Sequence, residues 1–482
     1  MKRGNQALLG GAVPWGTFGG AGLALGLAVV AAGALAGCGG GSDAAPARDA
    51  EGNVVTSGGD EEVTERANEL WTEARAAFDA AQKEGWNDER CSSVRDGFEE
   101  AIEAQGGGFA EAQYMAGLTA LRCGKPDKAE EYYARAVELW PEFCKARVAL
   151  GVLQQESGRA QEARRNFETA REKSPRTCNE AYVSLAHLQR VEGGEENERE
   201  ALANLRRALA IDANYLPAFN EMALLYLERA KDMGRQGEQM LDLAGLVCRQ
   251  AQLIDREYAA IYNTWGLIYI QKENVIEALR MFERARSLDD DFFEANMNFG
   301  QITLSFRGYE DAKTAFTRAV ELRPDSYDAY IGLGAALRGL NQFAEAEAAY
   351  EKAKELNAER PESYFNLAVL HQDYLISQQT ELPGQIAVLR EAVDLYDQFV
   401  AKAGSDDDYE SSVEDVTHTC RERSNRRRRR RGNTCNPGRK QRAQQTIEAL
   451  EETVRIQEEM EQQQQQQQEQ QQESAGESPA AG

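Results

Sequence analysis

Three stretches decide the fold: EALRMFERARSL at 277–288, DAKTAFTRAVEL at 311–322 and EAEAAYEKAKEL at 345–356, spaced by 34 residues. Ala278, Phe282 and Ala285 of the first recur as Ala312, Phe316 and Ala319, and again as Ala346, Tyr350 and Ala353. Steps of four and three residues place such a triplet on one face of a helix. Alanine suits a point where two helix axes approach, and the large side chain fills the groove beside it. Upstream in the same units, Tyr262, Trp265, Gly266 and Tyr269 are followed by Phe299 with Gly300, then by Tyr330, Leu333 and Gly334.

The register extends in both directions. Gly117, Ala129, Tyr133, Ala136 and Pro141 form one unit, and Gly151, Ala163, Phe167, Ala170 and Pro175 the next. Weaker units carry Tyr182, Leu185, Ala186, Ala201 and Ala208, then Phe219, Met222, Tyr226, Ala244 and Ala251, with longer turns between their helices. A first unit around Trp71, Phe78, Phe98 and Ala101 and a last around Tyr364, Leu367, Ala392 and Tyr396 bring the number to about nine. Pro141, Pro175 and Pro324 fall at the break after a second helix, where a missing N–H costs least. The expected class is all-α, and the pattern resembles the tetratricopeptide repeat, a helix–turn–helix unit that cannot bury its apolar face alone and stacks on its neighbours. The resemblance implies a superhelical solenoid over residues 61–404 whose first helices line a concave protein-binding surface.

In that family the first-helix positions two, five, nine and twelve face the groove. Transferred to this chain, the rule selects Asn220, Leu224, Asn263, Leu267, Met297, Gln301, Ile331, Arg338, Phe365 and Val369. Asn298 and Asn366 take the sixth position, where an asparagine bonds a peptide backbone. The second position holds Ala260, Glu294, Asp328 and Glu362, so the basic clamp that some family members use for a C-terminal carboxylate is not expected. Each of these side chains could also serve only helix packing.

The N-terminus sets the expected compartment. Lys2 and Arg3 precede an unbroken apolar run, Ala21 to Leu35, which at 15 residues is shorter than the roughly 20 needed to span a bilayer. Leu35, Ala36, Gly37 and Cys38 resemble the bacterial lipobox, in which the cysteine is acylated and becomes the mature N-terminus. Residues 1–37 are then a lipoprotein signal peptide, residues 38–60 a flexible Gly/Ala/Ser/Asp tether, and Cys38 a membrane anchor through its acyl chains. Gly39 is not the aspartate that retains enteric lipoproteins at the inner membrane, so an outer-membrane anchor facing the periplasm is expected.

The chain is acidic, with 55 basic against 80 acidic residues and a net charge of −25. Such a charge disfavours binding to nucleic acid or anionic lipid by any extended surface. In an oxidising envelope most of the seven remaining cysteines should pair. Hairpin stacking brings Cys91 near Cys123 and Cys144 near Cys178, while Cys420 and Cys435 flank a short loop; the alternative is that these are small core residues. Cys248, at a large core position, should be a buried thiol. His418 with Cys420 and Cys435 has an unusual spacing for zinc, and neither a metal nor a cofactor is expected.

Residues 405–438 read as an acidic, then arginine-rich loop containing Arg426, Arg427, Arg428, Arg429, Arg430 and Arg431. That block could meet anionic envelope groups or clasp the acidic repeats. Ala443, Ile447, Leu450 and Val454 make a helical stripe within 439–473, the expected capping helix, which runs into a glutamine tract. Residues 474–482 should be a disordered tail. There is no phosphate-binding loop, nucleophile elbow or paired-histidine motif, so no enzyme activity and no small-molecule substrate are expected. The layout resembles the myxobacterial tetratricopeptide lipoproteins of the gliding-motility complex, which implies a scaffold that binds proteins of an envelope-spanning machine. The alternatives are a pilotin-like lipoprotein for secretin or pilus assembly, and a binder of lipopolysaccharide or peptidoglycan through the arginine block.

Overall fold

A computed structural model describes residues 56–57, 61–404, 406–418 and 437–476. The signal segment, Cys38, most of the tether, Cys420, Cys435, Arg426 to Arg431 and residues 477–482 lie outside the described residues. From Glu65 the chain is nine successive helical hairpins. The first helices are α1 (Glu65–Glu84), α3 (Ala110–Arg122), α5 (Cys144–Glu156), α7 (Asn179–Glu192), α9 (Leu216–Asp232), α11 (Ala259–Gln271), α13 (Phe293–Ser305), α15 (Tyr327–Gly339) and α17 (Glu362–Asp373). Their partners are α2 (Asp88–Ala104), α4 (Pro126–Leu139), α6 (Ala160–Lys173), α8 (Glu195–Ile211), α10 (Glu238–Ile254), α12 (Val275–Leu288), α14 (Tyr309–Leu322), α16 (Phe343–Leu356) and α18 (Leu382–Ala403). The chain divides into two compact units between Met281 and Phe282.

In the N-terminal unit the helices start where the sequence supplies caps. The Thr64 hydroxyl accepts from Ala67 N at 3.3 Å, the Asn87 side chain accepts from Arg90 N at 2.8 Å, and Pro126 opens α4. Each second helix buries its small–large–small triplet: Ala129, Tyr133 and Ala136, then Ala163, Phe167 and Ala170, then Ala201, Leu205 and Ala208, then Ala244, Cys248 and Ala251. In the first two of these the large member lies against the glycine of its own hairpin. A Cβ on Gly117 would stand 2.5 Å from the Tyr133 ring, and one on Gly151 equally close to Phe167, so only glycine admits the ring there. The one pair of strands among the described residues is a two-residue ladder, Thr56–Ser57 against Glu61–Glu62. It falls within and beside the segment expected to be only a tether.

The turn between the two helices of a hairpin repeats its geometry. Gly124 and Gly158 adopt φ of 67° and 76°, and the amides of Lys125 and Arg159 donate back to the carbonyls of Ala120 and Gln154. This is a left-handed C-cap with the six-to-one bond that satisfies a helix-end carbonyl. Glu273 takes the same conformation at φ 57° with no glycine to ease it. In the α9–α10 pair the turn is lengthened by a 3₁₀ segment, Gly234–Gly237, which matches the longer inter-helix turns expected for the weaker units.

The C-terminal unit builds the same hairpins more regularly. Phe316 of α14 is fully buried and meets two glycines, Gly300 of its own hairpin and Gly332 of the next, so one ring fills both the intra-hairpin and the inter-hairpin groove. Arg307 and Asn341 hold the left-handed turn position at φ 63° and 62°. After α18, the described part of the span expected as a loop, residues 406–418, is ordered on the last hairpin. There α19 (Glu410–Thr417) docks with Val416 buried, and the Tyr409 hydroxyl donates to Glu362 Oε1 at 2.9 Å.

Gly438 N donates to the His418 carbonyl at 2.8 Å, and α20 (Arg439–Gly476) begins at once. Arg439 ties its first turn to Asp373 at 2.9 Å and Asp415 at 2.8 Å, and Arg390 reaches Glu451 at 2.6 Å. Ala443 is buried and Ile447, Leu450 and Val454 are half-buried, so the stripe is the contact face of a capping helix. The helix continues to Gly476, past the boundary at 473 expected from the glutamine tract. No described helix is long and apolar enough to cross a membrane.

Candidate protein-binding surface

The groove positions differ between the units. In the N-terminal unit Asn220, Leu224 and Leu267 are half-buried, and the Thr264 hydroxyl donates to Asn220 Oδ1 at 2.6 Å, joining α9 to α11. Asn263 is buried. In the C-terminal unit Met297, Asn298, Gln301 and Arg338 are half-buried, whereas Ile331, Phe365, Asn366 and Val369 are buried. Asn263 and those four are thus groove candidates whose side chains are buried within the array.

Phe365 sits in an aromatic cluster with its ring centroid 5.1 Å from Phe399 and 6.4 Å from Tyr396, and the Arg439 guanidinium lies 6.0 Å above it. It is held by the second helix of its own hairpin and by the cap. Asn366 Nδ2 donates to the Glu362 carbonyl at 2.9 Å and its Oδ1 accepts from Arg338 at 3.4 Å, so its amide is already committed. The position-two acids are committed as well. Arg323 pairs with Glu294 at 2.8 Å while its guanidinium lies 3.8 Å over Phe293, and Arg360 pairs with Asp328 at 2.9 Å while lying 4.0 Å over Tyr327. An arginine from each following turn thus neutralises the acid and stacks on the ring before it.

The groove rule, carried back to earlier hairpins, selects Glu111, Tyr114, Glu180, His187 and Arg190, none of which was expected from the sequence. The signal was present in the Gly117 and Ala186 registers. Glu180, His187 and Arg190 share one face of α7, at successive steps of seven and three residues. Arg190 is almost fully buried and donates from Nε to Glu221 Oε1 at 2.5 Å and from Nη1 to Glu228. Its Nη2 lies 3.2 Å from His187 Nδ1. Burial alone would raise the Glu221 carboxyl, but Arg190 and His187 override it and hold Glu221 at about 2. For Glu228 burial wins and its carboxyl moves up despite Arg190. Burial, and then the charge of Glu180, push up the phenols of Tyr114 and Tyr215.

Two disulfides cross between hairpins of this unit: Cys91 with Cys123, Cα atoms 5.8 Å apart, and Cys144 with Cys178, 5.7 Å apart. Cys248 is a buried free thiol raised by its burial. Cys144 Sγ comes within 3.5 Å of Glu180 Oε2. Cys144, Cys178 and Glu180 are the one group of His, Cys and acidic side chains close enough for a metal among the described residues. With both sulfurs in the disulfide they are not thiolate ligands.

Tetratricopeptide-repeat family models match residues 298–364 and 110–143. The hairpins within those two spans match the tetratricopeptide repeat, and the others share their helix–turn–helix plan. Solved structures similar to the chain include a tetratricopeptide-repeat protein of Thermus thermophilus, at 19% identity and a TM-score of 0.30 over 48% of this chain and 99% of that one. Another is a monomeric IFIT1 mutant with Gppp-AAAA, at 16% identity and a TM-score of 0.42 over 60% of this chain and 71% of that one. No curated protein matches the chain. Repeats of this type make protein-interaction scaffolds.

Proposed function

We propose that this chain is a non-enzymatic scaffold lipoprotein, anchored through acyl groups on Cys38 to the periplasmic face of the outer membrane, whose repeats hold proteins of an envelope-spanning machine. The observation that carries the reading is the pair of inter-hairpin disulfides in a chain whose first cysteine follows Leu35-Ala36-Gly37. Crosslinks of this kind persist in an oxidising compartment, and the lipobox supplies the route there. The machine we favour is the gliding-motility complex, on the resemblance of layout.

The test is mass spectrometry of the N-terminal peptide from purified membranes, with tagged chain used to recover partners from the same membranes. An acylated Cys38 and co-purified motility proteins are the expected result. An unmodified Cys38 overturns the anchor. Recovery of a secretin replaces the machine by the pilotin-like role, and recovery of envelope glycan alone replaces it by the glycan-binding role.

A further inference from the structure

We infer that α10 (Glu238–Ile254) is a self-association face, on which a second copy of this chain docks through the same helix running the opposite way. The inference goes beyond the scaffold reading and does not depend on it.

The second helix of each hairpin buries its small–large–small triplet and turns outward the positions five and two before, and two and five after, the large residue. In α4 those positions are Lys128, Glu131, Arg135 and Glu138, joined in ion pairs of 2.6 and 2.9 Å. In α12 Arg280 pairs with Glu277 at 3.0 Å, and Arg284 and Ser287 follow. Counted from Cys248, α10 has Leu243, Leu246, Gln250 and Leu253 instead, with the leucines 40%, 57% and 69% exposed. None of the other eight second helices has an apolar side chain larger than alanine at any of the four positions. Leucines gathered on one exposed face are unfavourable in water until another surface covers them.

The pattern of that face selects the occupant. Gln239, Leu243, Leu246 and Gln250 advance by four, three and four residues, the spacing of a coiled-coil seam, and they read the same from either end. A copy packed antiparallel about a two-fold axis therefore sets each Leu243 on the partner's Leu246 and each Gln239 on the partner's Gln250, where the amides exchange hydrogen bonds. One flank of the seam carries Asp242 and Arg249, and the same axis brings each acid to the partner's Arg249. Asp242 gives Oδ1 to Lys272 at 2.6 Å but stays largely exposed, and Arg249 is exposed with no ion pair among the described residues. The other flank carries Met240 and Val247, both half-buried, which meet in the same way. A parallel pair would instead set the charged flank of one helix on the apolar flank of the other.

One helix from each chain covers less than the roughly 1,200 Å² of a lasting interface, so the pair is weak, with a Kd of about 10 μM. A chain of net charge −25 repels its copy, so added salt should tighten the pair. Sedimentation equilibrium of the full chain, in detergent matched to the solvent density, reads the protein mass alone. Leu246→Glu should weaken the dimer at least about tenfold, whereas Thr314→Glu, which adds the same charge at the matching position of α14, should change nothing. Arg249→Asp and Asp242→Arg should each weaken self-association about tenfold. An equimolar mixture of those two variants should recover the parent's dimer, because only the mixed pair places acid on arginine at both ends. Melts that superimpose on the parent's establish that the variants fold. A mass that stays at one chain at about ten times the expected Kd, a dimer indifferent to Leu246→Glu, or a mixture no tighter than its components each overturns the inference. Two chains merely sharing a micelle would give the second of these results.

Discussion

The N-terminal hairpins and those around Phe316 share one plan and are secured by different chemistry. In the C-terminal unit the 34-residue motif is kept closely, Phe316 fills two grooves at once, and the position-two acids are latched by Arg323 and Arg360. In the N-terminal unit the motif weakens after α6, and among the described residues this unit alone carries disulfides, on hairpins up to α7. Two disulfides join successive hairpins, and Arg190 bridges two acids on α9. A repeat array is stable as a sum of units and interfaces, so a weaker interface can be compensated locally by a covalent or ionic tie.

The sharpest break of that contrast is reduction. Each disulfide closes a segment of just over thirty residues, for which chain entropy predicts about 3.5 kcal/mol of stabilisation. Cys91→Ser with Cys123→Ser, or reductant on the parent chain, should lower the denaturation midpoint of the N-terminal unit and leave hydrogen exchange in the C-terminal unit nearly unchanged. Equal loss in both units would mean the array melts as one and the contrast is false.

Acid should separate the units next. Glu221 is ionised down to about pH 2 in the folded chain but titrates near pH 4.5 when unfolded. Its stabilisation is therefore complete above about pH 4.5 and is lost as the pH falls from there toward 2. Glu221→Gln should cost about 2 kcal/mol at pH 7 and flatten that part of the acid-denaturation profile, read by urea titrations between pH 2 and 6. An unchanged slope would remove Glu221 from the account.

The smallest effect concerns the hairpin turns. Arg307 holds a left-handed backbone that Gly124 and Gly158 hold without strain. Arg307→Gly should stabilise the C-terminal unit by about 1 kcal/mol and Asn341→Gly by less, since asparagine tolerates that conformation better. Gly158→Arg should do the reverse in the N-terminal unit. Thermal melts of the three variants decide it.

Most of the fold was legible because its determinants are local and periodic. Ala312, Phe316 and Ala319 announce a buried face by spacing alone, and the cysteine pairs follow once hairpins are stacked. The site was less legible. Phe365 and Val369 occupy groove positions by register, but the chain's own C-terminal segment and α18 close around that hairpin, a long-range contact with no periodic signature. Glu180, His187 and Arg190 were within reach of the same rule but sit in a unit with weak motif residues. Residues 406–418 read as a polar loop because only Tyr409, Val413 and Val416 carry the docking, too few to register as a pattern.

The hydrogen bond from Gly438 to His418, reinforced by Arg439 on Asp415, pins the two ends of the arginine-bearing segment side by side. Whatever is spliced between those anchors changes only the length of a closed excursion, and doubling such a length costs about 0.6 kcal/mol. That makes the site a natural port for grafting a fluorescent reporter, or for exchanging the arginines, while the repeat array keeps its footing.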